Sequence, residues 1–436
     1  MRRLGAVASA FVLAVLAGAV APAPAYAVTT RPALVINRNF PDPDVTRFGS
    51  TYHAYATNAG GNVPVSTAPA AGGPWTARGD ALPTLGAWAS TGLTWAPDVS
   101  RRADGQYLLY YTARSRAAGR QCIGAAVSGN PLGPFAPVGT APLVCNTGEA
   151  GDIDASSFVD TDGRRYLLYK DDRNAIGQPP SIWLQPVAAD GITLQGGRTE
   201  LLRNDRAEEA GVIEAPVLVR RASRYVLFYS GGPYGNGSYF TGYATSTSIT
   251  GPYAKAFRPL ITTASVDGVV NGPGGADVDV AGGNIFFHGW LPGGGRGMYR
   301  ADLGWANDLP VVRGSRVRTE AERGTLNRAA VRTGAANASQ GAVVAYIDYA
   351  DSWVDLTVFA PAAGGYTVYV CYAAGFGDAQ HRLTVNGGAQ IVVNYPQGGW
   401  DTYRQVPVDV TLNAGSNVLR FQFLTRWAEL DYIEVA

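Results

Sequence analysis

Methionine (2), histidine (3) and cysteine (3) are scarce in this 436-residue chain, and each shortage excludes a class of protein. Three cysteines cannot build a disulfide scaffold. The histidines His53, His288 and His381 share no zinc-like spacing with the cysteines. Charge of one sign is also missing: 35 basic residues face 34 acidic ones, so no net field draws the chain to nucleic acid or an anionic membrane. A neutral polymer is the natural partner of such a surface. Helical periodicity is missing as well, the nearest candidate, Asn204 to Gly211, being too short.

What is abundant is glycine (55), proline (27), tyrosine (23) and tryptophan (9), the composition of a β-rich exported protein. Arg2 and Arg3, the apolar run Leu4 to Val20 and the small-residue site Ala25-Tyr-Ala27 read as a signal peptide over residues 1–27. An uncleaved anchor is the alternative; past this run no stretch is long enough to span a bilayer. The mature chain is expected to be secreted and extracellular. In that oxidising setting Cys122 and Cys145 are free to pair, leaving Cys371 as a small buried apolar residue.

An acidic residue recurs ahead of Gly-punctuated, Tyr-rich strand pairs such as Tyr107-Leu-Leu-Tyr-Tyr and Tyr225-Val-Leu-Phe-Tyr. The markers Asp44, Asp98, Asp154, Glu214 and Asp277 stand 54 to 63 residues apart. Units of that size built from short strands are the signature of propeller blades, which gather distant residues around one axis. The fold class read from the sequence is all-β: a five-bladed β-propeller over residues 28–312, followed by a β-sandwich of jelly-roll type over 317–436. The second unit carries period-two strands such as Val354-Asp-Leu-Thr-Val-Phe and Val418-Leu-Arg-Phe-Gln-Phe, and no blade marker.

Carboxylates facing one axis suit glycosidic cleavage, which needs one protonated and one ionised carboxyl group. A third acid nearby raises the pKa of the proton donor by like-charge repulsion. Phe40-Pro-Asp-Pro-Asp, Trp95-Ala-Pro-Asp-Val, Ile153-Asp-Ala-Ser and Ile213-Glu-Ala-Pro stand in that order at blade spacing. Together they resemble glycoside hydrolase family 43, over nearly all of residues 34 to 302. The resemblance implies an inverting glycosidase that needs no catalytic cofactor. It makes Asp42 the general base, Asp154 the pKa modulator and orienting group, and Glu214 the general acid. It adds His288 and Arg296 on the pocket side, with Asp98 orienting a neighbour or touching substrate. Phe40 and Trp95, beside the acids, serve either sugar stacking or core packing. One departure stands out: Gly272-Pro-Gly-Gly-Ala has glycine where many members carry a histidine near an axial metal or water, which argues for ordered water on the axis.

The C-terminal unit resembles carbohydrate-binding modules of families 6 and 35 through Glu320-Ala-Glu, Gly399-Trp-Asp-Thr-Tyr and Leu430-Asp-Tyr-Ile-Glu-Val. That resemblance implies a structural calcium on Glu320, Glu322 and Asp431, a hard-oxygen set. It also implies sugar stacking on Tyr372 and Trp400, for which packing inside the sandwich is the alternative. The reading is a monomeric exported enzyme whose partner is an arabinose- or xylose-containing polysaccharide, with no membrane contact once the signal is cleaved. Exo-acting α-L-arabinofuranosidase is the first choice. β-Xylosidase, endo-arabinanase and galactofuranosidase stay open within the family. A non-catalytic glycan-binding propeller and a retaining fructan-cleaving relative are the readings from outside it.

Overall fold

Runs of alternating apolar residues bounded by glycine-rich turns become short antiparallel strands, and helix is confined to five single turns among the residues described. The computed structural model describes residues 31–436, so the signal-peptide reading of residues 1–27 lies outside them.

Five antiparallel sheets follow one another along the chain, the first four of four strands and the fifth of five. Their first strands are Asp44–Phe48, Ala89–Arg101, Asp152–Val159, Ile213–Arg220 and Asn271–Asp279. Each first strand neighbours the first strand of the next sheet, and the fifth returns to the first, which makes a closed ring. The fifth sheet takes its outer strand, Ala33–Ile36, from the other end of this region, pairing it with Met298, Tyr299 and Arg300 of strand Arg296–Ala306. Apolar side chains fill the gaps between sheets; Tyr55, Val65, Leu109 and Tyr111 form one such layer and Leu168, Leu184, Leu218 and Leu227 another.

The inner edge of the ring has a repeating irregularity. In the second to fifth sheets the ladder slips within Trp95–Asp98, Ile153–Ser156, Glu214–Val217 and Gly274–Asp277. Ala96, Asp154, Ala215 and Gly275 stand at those slips with φ of 39°, 57°, 52° and 57°, and Asp42, with φ 51°, leads into the first sheet. A bulge with its first residue in the left-handed region re-aims the side chains around it, here toward the axis. This register corrects the sequence repeat. Asp44, Asp98 and Asp277 are equivalent, with Ser156 and Val217 in their places, whereas Asp154 matches Asp42 and Glu214 stands one residue ahead of the bulge.

The acids of the inner edge tie sheet to sheet. Asp277 Oδ2 accepts the Val45 N–H at 2.6 Å, Asp44 Oδ2 the Val99 N–H at 2.9 Å and Asp154 Oδ2 the Ala215 N–H at 3.0 Å. Asp98 accepts the Ser157 hydroxyl, and Ser230 Oγ accepts the Gly275 N–H at 2.8 Å. Cys122 and Cys145 form a disulfide, and Cys371 is a buried free thiol.

Leu309–Val312 still pairs with the fifth sheet, and Val317–Glu320 pairs with the terminal strand Glu429–Val435, so the chain passes between units over 313–316. The second unit packs a six-stranded against a five-stranded sheet around Val354, Leu356, Val370, Leu419, Phe421 and Ile433. Asp267 of the ring joins the units, accepting the Tyr369 hydroxyl at 3.0 Å and pairing with Arg316.

Candidate active site

The bulges bring three of the predicted acids to one pocket. Asp42, Thr57, Trp95, Ile153, Asp154, Glu214, Tyr234, Tyr239 and Arg296 line it, around about 180 Å³. Asp42 lies beneath a cage of donors. Arg296 reaches both its oxygens at 3.0 and 3.3 Å, and the Thr57 hydroxyl donates to Oδ2 at 2.6 Å. His288 Nδ1 lies 3.2 Å from Oδ1 and accepts the Asp42 N–H at 3.1 Å. Burial alone would raise the Asp42 pKa, but the Arg296 guanidinium, with the Thr57 hydroxyl, holds it well below the usual carboxylate range.

Asp154 is poised the opposite way. Burial and the neighbouring Glu214 push its carboxyl up to about 8, against the pull of Lys170. Glu214 accepts the Tyr239 hydroxyl on Oε1 at 2.8 Å and the Lys170 ammonium on Oε2 at 3.1 Å. Glu214 is thus held between two donors, with the raised Asp154 carboxyl acting on it from the adjoining sheet.

Several predicted contacts are displaced. Phe40 is fully buried, packed among Ile36, Val45, Phe286 and Met298, so it stacks on no sugar. His288 is also buried: it stacks on the Tyr239 ring at 5.6 Å and supports Asp42 from behind. Asp98 lies with Asp44 and Asp277 in the axial channel that continues from the pocket, not in the pocket itself. Burial and mutual repulsion raise the pKa of Asp44, and burial raises those of Asp98 and Asp277. The glycine that replaces the expected histidine has a steric cause. A Cβ on Gly275 would come within 2.7 Å of His288 Nδ1, and one on Gly274 within 2.1 Å of the Tyr239 ring. Backbone without side chains makes room there for the stacked Tyr239–His288 pair.

Three pocket residues escaped the sequence reading, Thr57, Tyr234 and Tyr239, and so did Lys170, buried behind Glu214. Lys170 carried a signal, since it interrupts the apolar strand Tyr166-Leu-Leu-Tyr, and a lysine is rarely buried unpaired. Tyr234 is 56% exposed on the rim, its ring 5.1 Å from the Arg296 guanidinium.

In the second unit Tyr372 is 2% exposed, packed on Tyr395 at 4.6 Å with its hydroxyl bound to Pro396 O, so it is core and no platform. Trp400 meets Phe376 edge-on at 5.4 Å, and Phe376 meets Trp427 at 5.6 Å. Phe376 is 61% and Trp427 51% exposed, and Phe376 carries no motif in the sequence. Ser339 bridges Glu320 and Asp431 at 3.0 and 2.9 Å. Glu320 Oε2 and Glu322 Oε2 are buried without a hydrogen-bond partner. Among the described residues no three carboxylate, histidine or cysteine side chains converge as a metal cluster.

Comparison with known proteins agrees with this layout. The profile of glycosyl hydrolases family 43 matches residues 31–300, and that of carbohydrate binding module family 35 matches 317–436. A beta-D-galactofuranosidase of Aspergillus niger is 29% identical over 185 residues, 40% of this chain and 49% of that protein. An extracellular endo-alpha-(1->5)-L-arabinanase of Bacillus subtilis is 28% identical over 39% of this chain and 38% of its own length, so the chain spans half or less of these two relatives. A probable arabinan endo-1,5-alpha-L-arabinosidase of Aspergillus clavatus is 27% identical over 52% of this chain and 74% of that protein. The crystal structure of a thermostable family-43 glycoside hydrolase superposes with a TM-score of 0.58 at 25% identity, covering 65% of this chain and 96% of that one.

Proposed function

The chain belongs to glycosyl hydrolases family 43, and on that premise we propose that it is an extracellular inverting glycosidase acting on arabinose-containing polysaccharide. The ring of five sheets is read as a five-bladed propeller and the two-sheet unit as a jelly-roll module. One observation carries the reading: three carboxyl groups share one pocket, in which Asp42 is held ionised and Asp154 is pushed toward its protonated form. Asp42, kept ionised, takes a proton from the attacking water as that oxygen bonds to the anomeric carbon. The Asp154–Glu214 pair delivers its proton through Glu214 to the glycosidic oxygen as the bond to the anomeric carbon breaks. Protons and charge balance, and the next substrate finds the pair recharged from solvent. Arg296 and Trp95 would contact the sugar.

The pocket ends on the axial side at the Asp42–Asp154–Glu214 group, with Trp95 in its wall and Tyr234 on its rim. That favours exo-acting α-L-arabinofuranosidase. The endo-arabinanase reading is favoured by what several relatives are called. Export is supported by the disulfide and by the word extracellular in one relative's name. Among the described residues no helix is long and apolar enough to cross a membrane. In the module, the exposed Phe376–Trp400–Trp427 cluster takes the stacking role assigned above to Tyr372. The orphaned oxygens of Glu320 and Glu322 suit a hard cation such as calcium; chelation would then lower the melting temperature of that module.

The test is a screen of wild type and Glu214→Ala on nitrophenyl pentosides and galactofuranosides and on linear and branched arabinan, with proton NMR of the first product. Free arabinose released with inverted configuration supports the reading. Oligomers as first products would replace exo with endo action. Inactivity of the wild type on every substrate would sink the glycosidase reading.

A further inference from the structure

A buried lysine against the residue read as the general acid is a physical puzzle. Lys170 is 1% exposed, and burying an ammonium is costly unless it is paired. Its strand, Arg165–Asp171, lies between Asp152–Val159 and Ser181–Val187. The second of these neighbours has no ionisable side chain. The carboxylates that Lys170 meets lie instead on the next sheet and just past its own strand. Its Nζ is 3.1 Å from Glu214 Oε2, on the first strand of the next sheet, and 3.4 Å from Asp172 Oδ1, just past its own strand. Asp154, on the adjoining strand, also acts on it electrostatically. Tyr239 holds the other oxygen of Glu214. One cation thus faces three carboxyl groups, so with all three ionised the cluster carries surplus negative charge and retains a proton. Without the cation, the surplus would be larger and the proton held more tightly.

We infer that Lys170 is a positioning residue for the hydrolytic reaction, which orients Glu214 and sets the pH at which the Asp154–Glu214 pair gives up its proton. The inference rests on the proposed glycosidase reading.

The test compares wild type, Lys170→Arg, Lys170→Met and Lys170→Gln by pH profiles of kcat/KM on aryl arabinofuranosides with poor and good leaving groups. In the neutral variants the alkaline limb moves up by about 1 to 3 pH units, the usual effect of one nearby opposite charge. Activity on the poor leaving group falls about 10- to 100-fold or more, within the range that acid catalysis supplies. The good leaving group, which needs little protonation, is spared, and Lys170→Arg keeps the wild-type limb. An unmoved limb with equal losses on both leaving groups overturns the inference and leaves Lys170 a structural tie. Wild-type inactivity on all substrates instead overturns the glycosidase reading. In that case carboxyl-carbon NMR of ¹³C-aspartate-labelled protein still decides: Asp154 must titrate higher in Lys170→Gln than in wild type, and an unchanged titration overturns the inference.

Discussion

Placing an alanine at Gly275 probes the centre of the site with a single methyl group. The backbone there has φ 57°, which costs a residue with a Cβ about 1–2 kcal/mol. The added Cβ lies 2.7 Å from His288 Nδ1, 2.8 Å from its Cε1 and 3.2 Å from Asp42 Oδ1. His288 cannot swing away. It is fully buried, its ring faces Tyr239, Nδ1 accepts the Asp42 N–H and Nε2 is 3.2 Å from Arg296. Overpacking of this kind costs about 1–3 kcal/mol, so Gly275→Ala loses roughly 2–5 kcal/mol in total. For a unit of this size, at about 2 °C per kcal/mol, that is a fall of about 4–10 °C in melting temperature.

Calorimetry of Gly275→Ala, His288→Ala and the double variant separates the two parts. Removing the imidazole opens the space the methyl group needs. The double variant should therefore be more stable than the sum of single losses by about 1–3 kcal/mol, the overpacking share. The left-handed share stays, because no neighbour causes it. A fall of less than about 2 °C for Gly275→Ala would refute the steric argument, since even the lower bound predicts twice that. Strict additivity would also refute it, because the clash would then not be with His288.

Arg296→Met removes the main charge that holds Asp42 ionised. The acid limb of kcat/KM should then rise by about 1–3 pH units, while Arg296→Lys shifts it less; a uniform loss with an unmoved limb would mean that Arg296 only binds sugar. The depressed Asp42 pKa also stabilises the fold at neutral pH, and that contribution disappears as pH falls below the unfolded value of about 4, an effect Arg296→Met should blunt in acid melts. Asp277 behaves the other way: its carboxyl is pushed up to about 7, so its contribution to stability declines as pH rises from about 4 through 7, by up to about 4 kcal/mol. Asp277→Asn should gain melting temperature at pH 8 relative to pH 5, and an equal change at both would contradict that. In the module, Trp427→Ala or Phe376→Ala should weaken retention on insoluble polysaccharide about 2- to 13-fold, the loss of one stacking contact, whereas unchanged retention would move the binding surface elsewhere.

What the sequence disclosed and what it hid follow from distance along the chain. Strand, turn and repeat are local signals, and so are the motifs around Asp42, Asp154 and Glu214, which the fold does bring to one pocket. Repeat register was harder, because a bulge shifts the ladder without changing the residue spacing much. Asp154 therefore passed for the partner of Asp44 when its backbone places it with Asp42. Which face an aromatic takes was harder still. Phe40 and Trp95 flank their acids alike in sequence, yet one lies in the gap between sheets and the other in the pocket wall. Tyr372 and Trp400 divide in the same way, since burial depends on the strand that packs opposite. Least legible was the support behind the acids. Tyr239 reaches Glu214 across 25 residues with no motif of its own, and His288, placed on the pocket side by the resemblance, gave no sign that it supports Asp42 from 246 residues away. The two glycines at 274 and 275 are the one trace those contacts leave in the sequence. Their lack of side chains looks like a missing ligand, but it is the space that a stacked tyrosine and histidine require.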